Sequence, residues 1–161
     1  MTETRTAPNG RGPALDDLDK AIVRALQTNG RLSNTEIARE LSVTETTIRK
    51  RMARLLDEGY LQVLAVPTPR ALAGTTSAII GVSTDLHRLA AVTAAVSAKP
   101  EVRYAGVSVG RYDLMVEAVF TDQQHLLRFI TEELGSIDGV TDVETSIILE
   151  VAKFSYEWEL P

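Results

Sequence analysis

The stretch Val43–Glu58, VTETTIRKRMARLLDE, decides how this chain is read. Ile48, Met52, Leu55 and Leu56 recur at i, i+4, i+7 and i+8, which makes one face of a helix apolar. Arg49, Lys50 and Arg54 fall mostly on the other side, beside Thr46 and Thr47, and Arg51 lies near the edge of the stripe. Thr44 stands at the N-cap, where its hydroxyl takes an orphan backbone N–H. Four cations sit between Arg49 and Arg54 with no acid among them. A helix that buries one face and offers arginines, a lysine and hydroxyls on the other fits the major groove of double-stranded DNA. The plain alternative is a surface helix with a solvated basic face, and the flanking sequence has to choose.

Upstream, Leu15–Thr28 has helical spacing at Leu18, Ile22, Ala25 and Leu26, with Asp16, Asp17 and Asp19 near the positive end of the dipole. Asn29-Gly30 is a stop signal. Ser33 and Glu36 form an S-x-x-E capping box for a short helix over Asn34–Leu41, and Ser42-Val43 turns the chain into the basic helix. This is helix-turn-helix order with the second helix of the pair reading. Gly59 closes that helix, and Tyr60–Pro67, YLQVLAVP, is β-rich and predicts a short wing strand, hence a winged helix-turn-helix domain. Residues 1–14 read as a disordered tail, 15–66 as the helical domain and 67–75 as a linker.

From residue 76 the period changes. Strand patterns over 76–84, 101–109, 112–120 and 141–152 alternate with helical patterns over 85–98 and 122–134. The order β-α-β-β-α-β predicts a ferredoxin-like α+β domain over 76–161. Ile79, Val107, Val109, Met115, Val119 and Ile148 are expected on the sheet face away from the helices. A sheet apolar on both faces implies a partner, most simply a second copy. Gly110-Arg111 suits a two-residue hairpin turn between the middle strands. Trp158 is expected to anchor the C-terminal tail.

The charge is unevenly placed. Residues 1–66 carry ten Lys/Arg and nine Asp/Glu, whereas 67–161 carry seven and thirteen, so a chain of net −5 concentrates its basic charge on one helix. Cys is absent, which removes disulfides, thiolate metal sites and thiolate nucleophiles. His87 and His125 lack a second ligand nearby and read as surface residues, so no metal and no cofactor are expected. The N-terminus has no apolar core and no apolar run reaches the ~18 residues of a membrane span, which places the chain in the cytoplasm, away from membranes.

With LDDLDKAIVRALQTNGRLSNTEIARELSVTETTIRKRMARLLDEGYL, then VGRYDLMVEAV and GVTDVETSIILEVAK in this order, the chain resembles the Lrp/AsnC (leucine-responsive, feast/famine) family of transcription regulators over about Leu15–Lys153. The resemblance implies a DNA-binding domain, a short linker and a C-terminal domain for effector sensing and oligomerisation. It further implies dimers that assemble into octamers and an amino-acid effector. Ser42 departs from a common Gly in the turn, and Glu45 from a common Pro at the helix start. Glu45 suits the helix dipole but repels phosphate if it faces the DNA backbone. On the reading helix, Thr44, Thr46 and Thr47 suit phosphate, Arg49 and Lys50 base edges, and Arg51 and Arg54 phosphate. In the family, the turn Gly110-Arg111-Tyr112-Asp113 lines an effector pocket between dimers. There Asp113 can receive an α-ammonium, backbone N–H groups around Gly110 a carboxylate, and Thr145 and Ser146 can complete the site.

The expected function is therefore effector-responsive, sequence-specific transcription regulation, not catalysis. Two alternatives stand beside it. One is a DNA-organising protein without effector. The other is a siroheme decarboxylase-like enzyme, which shares the two-part fold but needs a tetrapyrrole pocket with basic and histidine side chains.

Overall fold

The computed structural model describes residues 15–68 and 70–153; the predicted tail and Trp158 lie outside them. The chain divides into two compact units that part between Val66 and Pro67.

The first unit is three helices, α1 (Asp17–Thr28), α2 (Asn34–Glu40) and α3 (Glu45–Asp57). A seven-residue helix such as α2 is marginal alone, so it depends on its cap and its packing. The Ser33 hydroxyl accepts from Glu36 N–H at 3.3 Å, and the Glu36 carboxylate accepts from Ser33 N–H at 2.7 Å. Ile37 and Ala38 then pack with Ile22, Val23, Ile48 and Leu55 in one core. Met52 is only partly buried against it, and Leu56 of the expected stripe is 39% exposed. The tight turn between α2 and α3 places Ser42 at φ 56°, a left-handed conformation that costs an L-residue about 1–2 kcal/mol. Val43 N–H closes the turn on Ala38 C=O at 3.0 Å.

No wing strand forms over Tyr60–Pro67. Leu61 N–H returns to Leu55 C=O at 3.0 Å, and from Leu61 the chain runs on without a ladder partner, leaving Val63 and Leu64 52% and 67% exposed. Among the described residues of this unit there is no strand for its β-propensity to pair with.

The second unit is a four-stranded antiparallel sheet in the order β2-β3-β1-β4: β1 (Thr76–Thr84), β2 (Val102–Val107), β3 (Leu114–Phe120) and β4 (Val140–Ile148). This is the order of the ferredoxin-like arrangement. On one face, Ala78, Ile80, Val82, Leu114, Val116, Ala118 and Phe120 pack with Val92 and Val96 of α4 (Leu89–Ser97), and with Leu126 of α5 (Gln123–Arg128) and Phe129. Beyond α5 the helix widens into a π-helical turn, Phe129–Leu134, where Gly135 N–H reaches back to Ile130 C=O at 3.1 Å. α4 begins four residues later than its pattern predicts, because Asp85 takes the His87 N–H on its own side chain and Arg88 N–H on its carbonyl.

The opposite face is mixed rather than apolar. Register aligns Ile79 with Glu117, Tyr104 and Ser146, Met115 with Gly81, Gly106 and Glu144, and Val119 with Ser77 and Ile148. Val107 instead pairs with Leu114 and shares its helix-facing side, while Val109 lies beyond the ladder. One extra residue at Arg103, where the β2–β3 register shifts, causes the exchange.

Two predictions follow from the helical unit. Ser42→Gly relieves the left-handed turn. After the ~0.5–1 kcal/mol extra entropy that glycine loses on folding, it should stabilise the unit by about 0.5–1 kcal/mol in urea melts. An unchanged or lowered midpoint would show that Ser42 is not strained. The second concerns acid. The Ser33 hydroxyl and N–H hold Glu36 below the usual carboxylate range. A carboxyl depressed in the folded state stabilises fully above its unfolded value, ~4, and that contribution vanishes as pH falls through the lowered value. The hydrogen-exchange protection of α2 amides, corrected for the intrinsic rate, should therefore decline below about pH 4, and more gradually in Ser33→Ala. Equal acid steepness in both proteins would rule out the capping box as the cause.

Candidate nucleic-acid interface and effector site

α3 begins at Thr44, whose hydroxyl accepts from Thr47 N–H at 3.2 Å and lies 2.8 Å from the Thr47 hydroxyl. Glu45 is exposed, and its carboxylate accepts from the Thr35 hydroxyl at 3.0 Å and braces α3 against α2. Thr44, Thr46, Arg49 and Lys50 are exposed, and Thr47 is half-buried. Neither Arg49 nor Lys50 forms an ion pair among the described residues.

Arg51 and Arg54 are placed differently from their expected role as phosphate contacts. Arg51 Nη1 lies 2.5 Å from Asp16 Oδ2 and 3.2 Å from Asp19 Oδ1, and Arg54 Nη2 pairs with Asp19 Oδ2. Asp19 is fully buried. Asp16 and Asp19 also form the capping box of α1, with Asp19 N–H on Asp16 Oδ1 at 2.9 Å and Asp16 N–H on Asp19 Oδ2 at 3.2 Å. The Asp19 N–H, and then the Arg51 guanidinium, hold the Asp16 carboxyl below its ordinary range. The two arginines are therefore half-buried against α1, because the edge of the apolar stripe rolls them onto a buried carboxylate. The signal was present: acids three apart on α1 match arginines three apart on α3.

The second site centres on the connection from β2 to β3. It is longer than a two-residue hairpin: Ser108 N–H donates to Asp113 C=O at 2.9 Å, enclosing Val109–Tyr112. The Ser108 hydroxyl donates to Tyr112 C=O at 2.6 Å, and Gly110 takes a positive φ of 154°. Asp113 turns inward, where its Oδ2 accepts from Thr84 N–H at 2.8 Å and its own N–H donates to Val82 C=O at 3.1 Å. The carboxylate expected to take an α-ammonium thus ties the loop to the end of β1.

The Tyr112 ring lies on the outer face over Gly81, where an added Cβ would meet it at 2.5 Å. Its hydroxyl donates to Glu144, which raises the phenol pKa, since an anionic oxygen cannot donate. Arg111 Nη2 lies 2.8 Å from Glu144 Oε2, and its guanidinium stacks 5.3 Å from the Tyr112 ring centre. Glu144 joins this cluster unseen by pattern reading, because only strand register places it beside Gly81. Thr145 and Ser146 part company: Thr145 pairs with Ile80 on the helix-facing side, whereas Ser146 pairs with Ile79 on the outer face. Successive strand residues point to opposite faces, so one surface cannot collect both hydroxyls.

His125 is half-buried rather than a plain surface residue. Its Nε2 lies 3.0 Å from Glu101 Oε1, and its ring meets Phe120 edge-on at 5.4 Å. No group of three or more His, Asp or Glu among the described residues is arranged to hold a metal ion. No helix among them is long and apolar enough to cross a membrane.

Comparison with known proteins covers both units. Residues 15–56 match the AsnC-type helix-turn-helix domain, and residues 77–158 the Lrp/AsnC ligand binding domain. An HTH-type transcriptional regulator of Pyrococcus horikoshii is 37% identical over 152 residues, covering 94% of this chain and 96% of its own. The HTH-type transcriptional regulator LrpA of the same organism is 33% identical over 140 residues, covering 86% and 99%. Among solved structures, a transcriptional regulator from Neisseria meningitidis in complex with L-Met superposes with a TM-score of 0.79 at 30% identity, covering 91% and 97%. E. coli AsnC superposes equally well, with a TM-score of 0.79 over 90% and 99%, but at 22% identity it bears on the fold alone. A helix-turn-helix unit and a four-stranded α+β unit, matched in order across nearly the whole chain, make this protein a member of the Lrp/AsnC family of transcriptional regulators.

Proposed function

We propose that this regulator reads double-stranded DNA with the exposed face of α3 and answers to an amino acid held on the outer face of its sheet. The observation that carries the first half is the division of labour on α3. Arg49 and Lys50 are exposed and unpaired among the described residues, so they are the cations for base edges, Arg49 being suited to bidentate contact with guanine. Thr44 and Thr46 flank the positive end of the helix and suit phosphate. Thr47 contributes chiefly to the cap, and Arg51 and Arg54 hold the helix in place.

For the effector, an α-amino acid carries one charge of each sign. Glu144 and Arg111 supply both on one exposed edge, with the Gly110 loop beside them and the Tyr112 ring as an apolar floor. The L-Met complex of the Neisseria relative supports an amino acid as the ligand class. Asp113 positions the loop, Ser146 shares the outer face, and Thr145 is left out of the site. Ile79, Met115 and Val119 on the same face suit a second copy of the chain, and a dimer presents two α3 helices to half-sites about 34 Å apart. Octamers are the next level of the same assembly. Effector binding shifts assembly or DNA affinity through unequal affinity for two states.

Two measurements test this reading. Arg49→Ala should weaken binding to a site selected from random duplexes by about 1–3 kcal/mol and relax preference at one position. A uniform loss on every sequence would make Arg49 a phosphate contact instead. Titration with each proteinogenic amino acid should change DNA affinity or assembly for at least one of them. Gly81→Ala, which displaces the Tyr112 ring, should abolish that response while leaving effector-free DNA affinity unchanged. If no amino acid acts, the protein is an effector-independent DNA organiser and the sensing half of the reading is wrong.

A further inference from the structure

We propose that Asp16 and Asp19 set how strongly this protein binds DNA without regard to sequence, by withholding Arg51 and Arg54 from phosphate. The proposal rests on the reading of α3 as the DNA-binding surface. α3 carries four cations within six residues, yet two of them are neutralised from α1. Asp19 is fully buried, and its carboxylate meets Arg51, Arg54 and the Asp16 N–H together. Such a carboxylate cannot release both guanidiniums without becoming an unpaired buried charge. Asp16 is different. Its side chain is 49% exposed, Arg51 is 32% exposed, and their contact lies where a phosphate could compete for the guanidinium. The pair thus divides the work: Asp19 holds both arginines from a fully buried position, and Asp16 adds a second, solvent-accessible carboxylate to Arg51.

Each cation placed on a phosphate releases counterions with a slope of about 0.9 in log K against log salt. At ~0.1 M salt, relative to 1 M, that is about eightfold in affinity per contact. Withholding two therefore lowers the sequence-independent background by up to roughly sixtyfold. That background decides how much protein is lost to the genome's competing sites. Asp16 and Asp19 act through the arginines and touch no DNA themselves, so they are positioning residues.

The test uses the full chain and a mixed-sequence duplex, with binding followed from ~50 to 200 mM salt, the range over which phosphate contacts are read out. Asp16→Asn keeps an equally good helix cap, so the fold is preserved while the charge is lost. It should raise mixed-sequence affinity several-fold and steepen the salt slope by up to about 0.9. Arg51→Gln alone should leave the slope as it is, and adding it to Asp16→Asn should return the slope to the wild-type value. Asp19→Asn, where circular dichroism shows it folded, should steepen the slope by more than Asp16→Asn does. A shallower slope in Arg51→Gln alone would place Arg51 on phosphate already and overturn the proposal. So would an unchanged slope in Asp16→Asn. Arg49→Ala separates this from failure of the underlying reading: if it leaves binding to every duplex unchanged, α3 is not the DNA surface.

Discussion

The helical unit depends on one buried carboxylate. Asp19 sits at full burial between α1 and α3, and a charge in that position is tolerable only with several donors on it. It has Arg51, Arg54 and the Asp16 N–H. Apolar burial of Ile48 and Leu55 draws α3 onto the core but is non-directional, and it does not by itself fix how far the helix is rolled. The ion pairs are directional. They pull the Arg51–Arg54 edge toward α1, which leaves Leu56 half out of the core and turns Arg49 and Lys50 outward. Which face of α3 is exposed is thus a consequence of which side its other cations are tied to.

A comparable constraint orders the second unit. Antiparallel register decides which side chains share a surface, and it does so in steps of two. Gly81 leaves room for the Tyr112 ring on the outer face, and Glu144, paired with Gly81 on the neighbouring strand, receives the Tyr112 hydroxyl and the Arg111 guanidinium. Asp113 accepts the Thr84 N–H and so secures the loop to β1. The loop is therefore held from within and presents its charged groups on one side only.

Much of the architecture was legible from local chemistry. The Ser33–Glu36 capping box, the Gly59 stop and the change from helical to strand period are short-range features, and α1, α2, α3 and the order of the later elements appear as expected from them. What could not be read depends on distant partners. Tyr60–Pro67 has strand propensity but meets no strand among the described residues of its unit. Val107 changed sides because one extra residue at Arg103 shifts the pairing, and no period count detects a bulge. Thr145 and Ser146 looked equivalent as hydroxyls, yet adjacent positions on a strand are the two that never share a face. His125 looked like a surface residue until Glu101, 24 positions away, was found beside it.

The arginines make the same point about function. Arg49, Arg51 and Arg54 are one residue type on one helix, and a count of charge treats them alike. Their environments separate them. Only the first lies clear of the acids on α1, so the outward charge of the cluster comes from Arg49 and Lys50. Under the proposal above, this arrangement would let a chain of net charge −5 approach a polyanion without binding it indiscriminately. Repulsion from the acidic remainder and the two withheld guanidiniums both reduce phosphate attraction. On the proposed reading, base-edge contacts from Arg49 and Lys50 would then carry a larger share of the binding energy, and that share is what a regulator needs in order to prefer one site over the rest.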